Sequence, residues 1–74
     1  MIDLPRLFDD YNVHYIMSKN GWINAQCPHC EDHGEHGGFN PQHEVYNCWK
    51  CGVHNYEFTI MQLLGIPRGN LEEI

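Results

Sequence analysis

The 74-residue sequence predicts a small α+β fold, an antiparallel sheet of three to four short strands flanked by an N-terminal and a C-terminal helix. Three observations predict it. Two Cys-x-x-Cys pairs, Cys27-Pro28-His29-Cys30 and Cys48-Trp49-Lys50-Cys51, stand seventeen residues apart. Runs of strand-forming residues bounded by turn residues lead into each pair. Apolar residues recur at helical spacing towards both ends of the chain.

The cysteine spacing carries the chemistry. Each pair forms a tight knuckle that turns two sulfurs towards one point, and two knuckles complete a tetrahedron around a zinc ion with Zn–S distances near ~2.3 Å. The fold class sharpens to a zinc ribbon whose ligands are Cys27, Cys30, Cys48 and Cys51. Four thiolates leave no coordination position for water or substrate, so the ion is structural and the domain is not an enzyme by itself. Two alternatives compete. A pair of disulfides implies export, yet Met1-Ile2-Asp3-Leu4-Pro5 has no basic region and no apolar run follows it. A redox Cys-x-x-Cys needs a βαβ surround that a chain this short cannot hold. His33 or His36 replacing Cys30 as a ligand is a further variant, whereas His29 points the wrong way within a regular knuckle. The expected compartment is a reducing cytoplasm, and no stretch is long and apolar enough to cross a membrane.

The elements follow in order. Asp3 caps a helix with Leu4, Leu7, Phe8 and Tyr11 on one stripe and Pro5 in its first turn. Residues 13–17 and 22–26 pair as a hairpin through a two-residue Asn20-Gly21 turn. Residues 31–38, polar and glycine-rich, read as a mobile loop. A second hairpin joins Phe39-Asn40 to Val45-Tyr46-Asn47 through Pro41-Gln42-His43-Glu44 and delivers the second knuckle. Asn55 caps a helix from Tyr56 to Leu64 with Tyr56, Ile60, Leu63 and Leu64 inward, stopped by Gly65 and Pro67. The domain spans residues 1–66, and residues 67–74 form a linker or the start of the next helix of a longer protein, with Asn70 at a cap position and Glu73 three residues on.

A core of this size supplies about 3–5 kcal/mol, whereas structural zinc in finger peptides binds with about 10–16 kcal/mol, so folding is expected to depend on the metal. Ten acidic and four basic residues give a net charge of −6, and four thiolates with one zinc ion bring the loaded domain to about −8. That charge excludes general electrostatic adhesion to nucleic acid.

The order of parts resembles the N-terminal zinc-binding domain of DnaG-type DNA primases, bacteriophage forms included, over roughly residues 3–66. Asp10-Tyr11-Asn12-Val13, Gly21-Trp22, Cys27-Pro28-His29-Cys30, Phe39, Asn40-Pro41, Tyr46 and Cys48-Trp49-Lys50-Cys51-Gly52 before an amphipathic helix carry the resemblance. Cys30, where cellular primases usually have histidine, is closer to the phage pattern. The resemblance implies a domain that helps choose where on a single-stranded DNA template an RNA primer starts. A polymerase domain of the same chain, outside these residues, would use Mg²⁺ to form the bonds, and a helicase is a further partner. The implied setting is bacterial or phage-infected cytoplasm.

Single-strand readers combine aromatic faces with hydrogen-bonding groups. Trp49 and Lys50 on the outer turn of the second knuckle, Tyr46 on the strand before it and His43 in the hairpin turn are the candidate contacts. Trp49 can instead shield the sulfurs, strand alternation can turn Tyr46 into the core, and Trp22 is expected in the core beside the first helix. A zinc-ribbon adaptor that docks a protein through Trp49, Tyr46 and Tyr56 is the rival function.

Overall fold

A computed structural model describes residues 3–66. Helix α1 (Leu4–Asp10) begins where expected: the Asp3 carboxylate accepts the Arg6 N–H at 3.3 Å, and Pro5 occupies a first-turn position that needs no donor. Leu4, Leu7 and Phe8 are buried. Tyr11, the expected fourth member of the stripe, is the C-cap residue and lies exposed, because the helix has ended before its side chain can turn inward. Asn12, at φ 58, then reverses the chain into the sheet.

The sheet has five antiparallel strands, one more than the upper expectation, in the order β1 (Tyr15–Met17), β2 (Ile23–Ala25), β3 (Gly37–Asn40), β4 (Val45–Cys48) and β5 (Gly52–His54). The additional strand is β5. Gly52-Val53-His54 has no alternation to announce it; the second knuckle reverses the chain, with Gly52 at φ +97, and lays those residues alongside β4, pairing Cys48 with Gly52 and Tyr46 with His54.

Two turn expectations need correction. The β1–β2 loop has three residues, Lys19-Asn20-Gly21, rather than two. Ser18 N–H donates to the Trp22 carbonyl at 2.8 Å, Gly21 N–H donates to the Ser18 carbonyl at 3.2 Å, and of the loop residues Gly21 alone has positive φ. A two-residue type I′ turn would need positive φ at Asn20 as well, whereas a turn ending in a left-handed glycine suits the three-residue loop. Residues 31–38, expected to be mobile, are built structure, and Gly37 and Gly38 belong to β3. The glycines are there for space: a Cβ on Gly37 would overlap the Tyr46 hydroxyl and sit 3.0 Å from the Ala25 carbonyl. The β3–β4 turn through Pro41-Gln42-His43-Glu44 forms as expected, with the Asn40 side chain accepting the Gln42 and His43 N–H groups.

Helix α2 (Tyr56–Leu64) is capped by Asn55, whose side chain accepts the Phe58 N–H at 2.8 Å, and ends at Gly65 in the left-handed conformation. Tyr56 and Ile60 are buried with Thr59 and Met61, and Leu63 and Leu64 pack at the margin. Phe39 holds the core together, with its ring centroid 5.6 Å from Phe8 of α1, 5.9 Å from Tyr56 of α2 and 4.7 Å from Tyr46. Both helices therefore cover one face of the sheet. The register row Ile16, Asn24, Gly38, Asn47 and Val53 lies on the other face, which neither α1 nor α2 covers. No helix among the described residues is long and apolar enough to cross a membrane. The expected linker or helix start at 67–74 lies outside the described residues.

Candidate metal centre

Strand β2 runs through Gln26 into the first knuckle, and β4 ends on Cys48, the first residue of the second. All four cysteines are free thiols, and their sulfurs lie within 4.8 Å of one another. Cys27 and Cys51 are separated by 3.6 Å between sulfurs, Cys30 and Cys48 by 3.8 Å. A disulfide needs about 2.05 Å. A tetrahedron with metal–sulfur bonds of ~2.3 Å has an edge of about 3.8 Å, so the spacing fits a four-thiolate metal site.

The backbone is arranged for thiolates as well. Each knuckle aims an N–H at its own first sulfur: His29 N–H lies 3.4 Å from Cys27 Sγ and Lys50 N–H 3.3 Å from Cys48 Sγ. Such bonds favour the charged sulfur that a metal requires. At Cys48, burial pushes the thiol up, but the backbone N–H groups of Lys50 and Cys51, together with the Cys27 and Cys51 thiols, outweigh it and hold the group at about 7. Burial raises the Cys30 and Cys51 thiols, and Cys27 raises both further, so this cluster cannot hold four negative charges without a cation.

Asp32, by sequence one of several acidic residues in the polar 31–38 loop, supports the first knuckle. Its carboxylate is buried and accepts the N–H groups of Cys27 at 2.9 Å, Gly34 at 3.0 Å and His36 at 3.1 Å, and it also meets the His36 ring. Burial alone would raise this carboxyl. The His36 ring and the three backbone donors overcome that and hold it well below the usual carboxylate range. The His36 carbonyl accepts the Trp49 N–H at 3.1 Å, and Lys50 Nζ donates to the Glu31 carbonyl at 2.7 Å, so the 31–36 loop clamps the two knuckles together. His36 is therefore spoken for by Asp32, and neither His33 nor His36 joins the sulfur cluster.

Cys51, the exposed ligand, is served by His54 instead, whose Nε2 lies 3.2 Å from its sulfur. His54 stacks on His29 at 3.9 Å between centroids, and Phe58 lies beyond His29 at 5.9 Å. His29 is 2.8 Å from the Thr59 hydroxyl, which itself donates to the Asn55 carbonyl, so His29 donates through Nε2. Burial, with His54 next to it, lowers the His29 pKa and keeps that ring neutral.

The candidate nucleic-acid contacts fall in three places. Trp49 is 79% exposed on the outer turn of the second knuckle, as expected, with Lys50 exposed beside it. His43 is exposed in the β3–β4 turn, so the length of β4, roughly 13 Å for four residues, separates it from Trp49. Tyr46 is 1% exposed and corrects the stacking expectation: strand alternation turns it into the core against Phe39. Its hydroxyl has no partner among the described residues, and burial, then the Cys27, Cys48 and Cys51 sulfurs, raise its pKa far above the usual phenol value. Trp22 is also corrected: it stands half-buried on the uncovered face rather than in the core. There it lines a groove of about 340 Å³ with Asn24, Gly38, Asn47 and Trp49.

No protein-family profile, curated protein or solved structure matches the chain.

Proposed function

We propose that the chain is a zinc ribbon serving as the template-reading domain of a DnaG-type, phage-like DNA primase. The observation that carries the reading is the sulfur cluster itself. Its edges suit zinc, its four thiolates saturate the ion, and two knuckles of the kind that the resemblance requires are fastened to each other by the 31–36 loop. Zinc would supply structure, with no open corner for a reacting group. The chain's own work is then recognition. Trp49 stacks on an unpaired base and Lys50 offers a cation beside it, both on the rigid rim of the second knuckle.

A net charge of −6 makes affinity for DNA intrinsically weak. Useful binding then comes from tethering to a Mg²⁺-dependent polymerase domain of the same chain, which raises the local concentration to roughly millimolar. A helicase is a further partner of such a primase, and bacterial or phage-infected cytoplasm is where four free thiols persist.

The test is an NMR titration of the zinc-loaded protein with single-stranded DNA trinucleotides at physiological salt. Template reading is supported by millimolar binding that shifts the Trp49 and Lys50 signals. The exposure of Trp49 and the acidic net charge favour one rival, an adaptor that docks a basic protein in phage replication or transcription. Signals silent to DNA, but moved by a basic partner, would select the adaptor.

A further inference from the structure

The uncovered sheet face holds a second set of recognition groups, which the resemblance does not assign and which the metal centre does not use. In the register row Asn24–Gly38–Asn47, the two carboxamides stand on strands either side of the glycine, roughly 10 Å apart across two strand spacings. Trp22 precedes β2 and Trp49 follows β4, so an indole stands towards each end of the row. Gly38 keeps the floor low: a Cβ there would lie 3.0 Å from the Trp22 ring and 3.5 Å from the Asn24 side-chain oxygen.

The lining selects the ligand chemistry. Indoles offer faces for a planar ring, and carboxamides offer a donor and an acceptor each, the combination that reads a base edge. A volume of about 340 Å³ sits at the small end of the roughly 300–1,000 Å³ range for small-molecule sites, which suits one base with its sugar rather than a run of bases. Charge agrees. No acidic residue lines the groove, and two of the four basic residues in this acidic chain stand next to lining residues, Lys19 between Ser18 and Asn20 and Lys50 beside Trp49.

We infer that the groove between Trp22 and Trp49 is a binding site for one unpaired nucleobase of single-stranded DNA. The base lies over Gly38, Asn24 and Asn47 hydrogen-bond its edge, and Lys19 and Lys50 attract the flanking phosphates. The inference rests on the template-reading proposal for the identity of the strand; the site shares Trp49 and Lys50 with the knuckle rim and adds Trp22, Asn24, Gly38 and Asn47 to it.

The deciding experiment titrates the zinc-loaded chain, unaltered and as the N24A/N47A double variant, with free deoxynucleosides and with DNA trinucleotides, following indole and carboxamide NMR signals. Both side chains are half-buried on the uncovered face, so the double variant keeps its fold, and its metal content checks this. The expected result is that both ligands shift the Trp22, Asn24 and Asn47 signals and that the double variant binds at least fivefold more weakly. Trinucleotide binding unchanged in the double variant overturns the groove and leaves template reading standing. Nucleosides held in the groove, with trinucleotides bound no tighter, keep the groove and remove template reading. Silence towards both ligands overturns both.

Discussion

The two knuckles contribute two sulfurs each to one site, yet they are held in different ways. The first is fixed from behind by a buried carboxylate that gathers three backbone N–H groups and the His36 ring. The second sits at the surface, with Cys51 and Trp49 exposed, and depends on contacts handed to it: the His36 carbonyl, the Glu31 carbonyl reached by Lys50, and His54 against Cys51. One knuckle is anchored and the other is clasped. A rim that meets a partner needs exposed side chains, and a metal site needs at least one pair of ligands that does not drift. Dividing these demands between the knuckles meets both.

Removing the metal tests both knuckles at once and has the largest expected effect. With about 3–5 kcal/mol from a small core set against about 10–16 kcal/mol from structural zinc, chelation is expected to collapse the circular dichroism signal. A fold that survives chelation would show that the anchor alone suffices. Next come the ligands taken singly. Cys27→Ser breaks the anchored side and is expected to abolish binding of cobalt(II), read from its thiolate charge-transfer absorption. Cys51→Ser is expected to retain weakened binding, because His54 Nε2 already lies 3.2 Å from the sulfur it would replace. Equal loss in the two variants would erase the distinction between them.

The supporting residues give smaller effects. Asp32→Ala strands three backbone donors, that of Cys27 buried and those of Gly34 and His36 partly so, and is expected to cost about 3 kcal/mol in urea unfolding of the zinc-loaded protein. Lys50→Ala removes one exposed contact and is expected to cost about 1 kcal/mol or less. The order of these two is the sharpest statement of anchored against clasped.

Acidity separates the sulfurs from their support. Binding releases thiol protons, so metal affinity rises with pH, and Cys48, held at about 7, ionises below its ordinary value of 9.0. Because the Asp32 pKa is depressed in the fold, its contribution is complete above the unfolded carboxylate value of ~3.9 and is lost only as pH falls below that. Metal release on titration from pH 7 to 5, followed by competition with a chromophoric chelator, is therefore expected to follow the thiols, with the profile of Asp32→Asn displaced to higher pH because its weakened anchor lowers metal affinity, but equally steep.

The parts of the fold that were legible in the sequence are those set by local chemistry. Asp3, Asn55 and Gly65 cap their helices as their side chains or freedom of φ dictate, and the cysteine spacing alone places four sulfurs within reach of one ion. The parts that were not legible depend on what lies across the sheet. Gly37 and Gly38 carry the composition of a flexible loop, but Tyr46 and Trp22 need the space that a side chain would fill. Gly52-Val53-His54 becomes a strand because of the turn before it. Asp32 looks like one more acidic loop residue, and its role exists only once Cys27, Gly34 and His36 have converged on it. At Tyr46 the alternation rule was available and settles the side chain inward.

The strict meander has a kinetic consequence. Every strand pairs only with its sequence neighbour, and all the connections are short except that between β2 and β3, residues 26–36, which carries the first knuckle and Asp32. A bound metal would add a longer link between residues 27 and 51, beside core contacts such as Phe8 on Phe39. Neighbouring ribbons can assemble in microseconds, and capture of the ion by sulfurs already drawn near is left as the step that commits the chain.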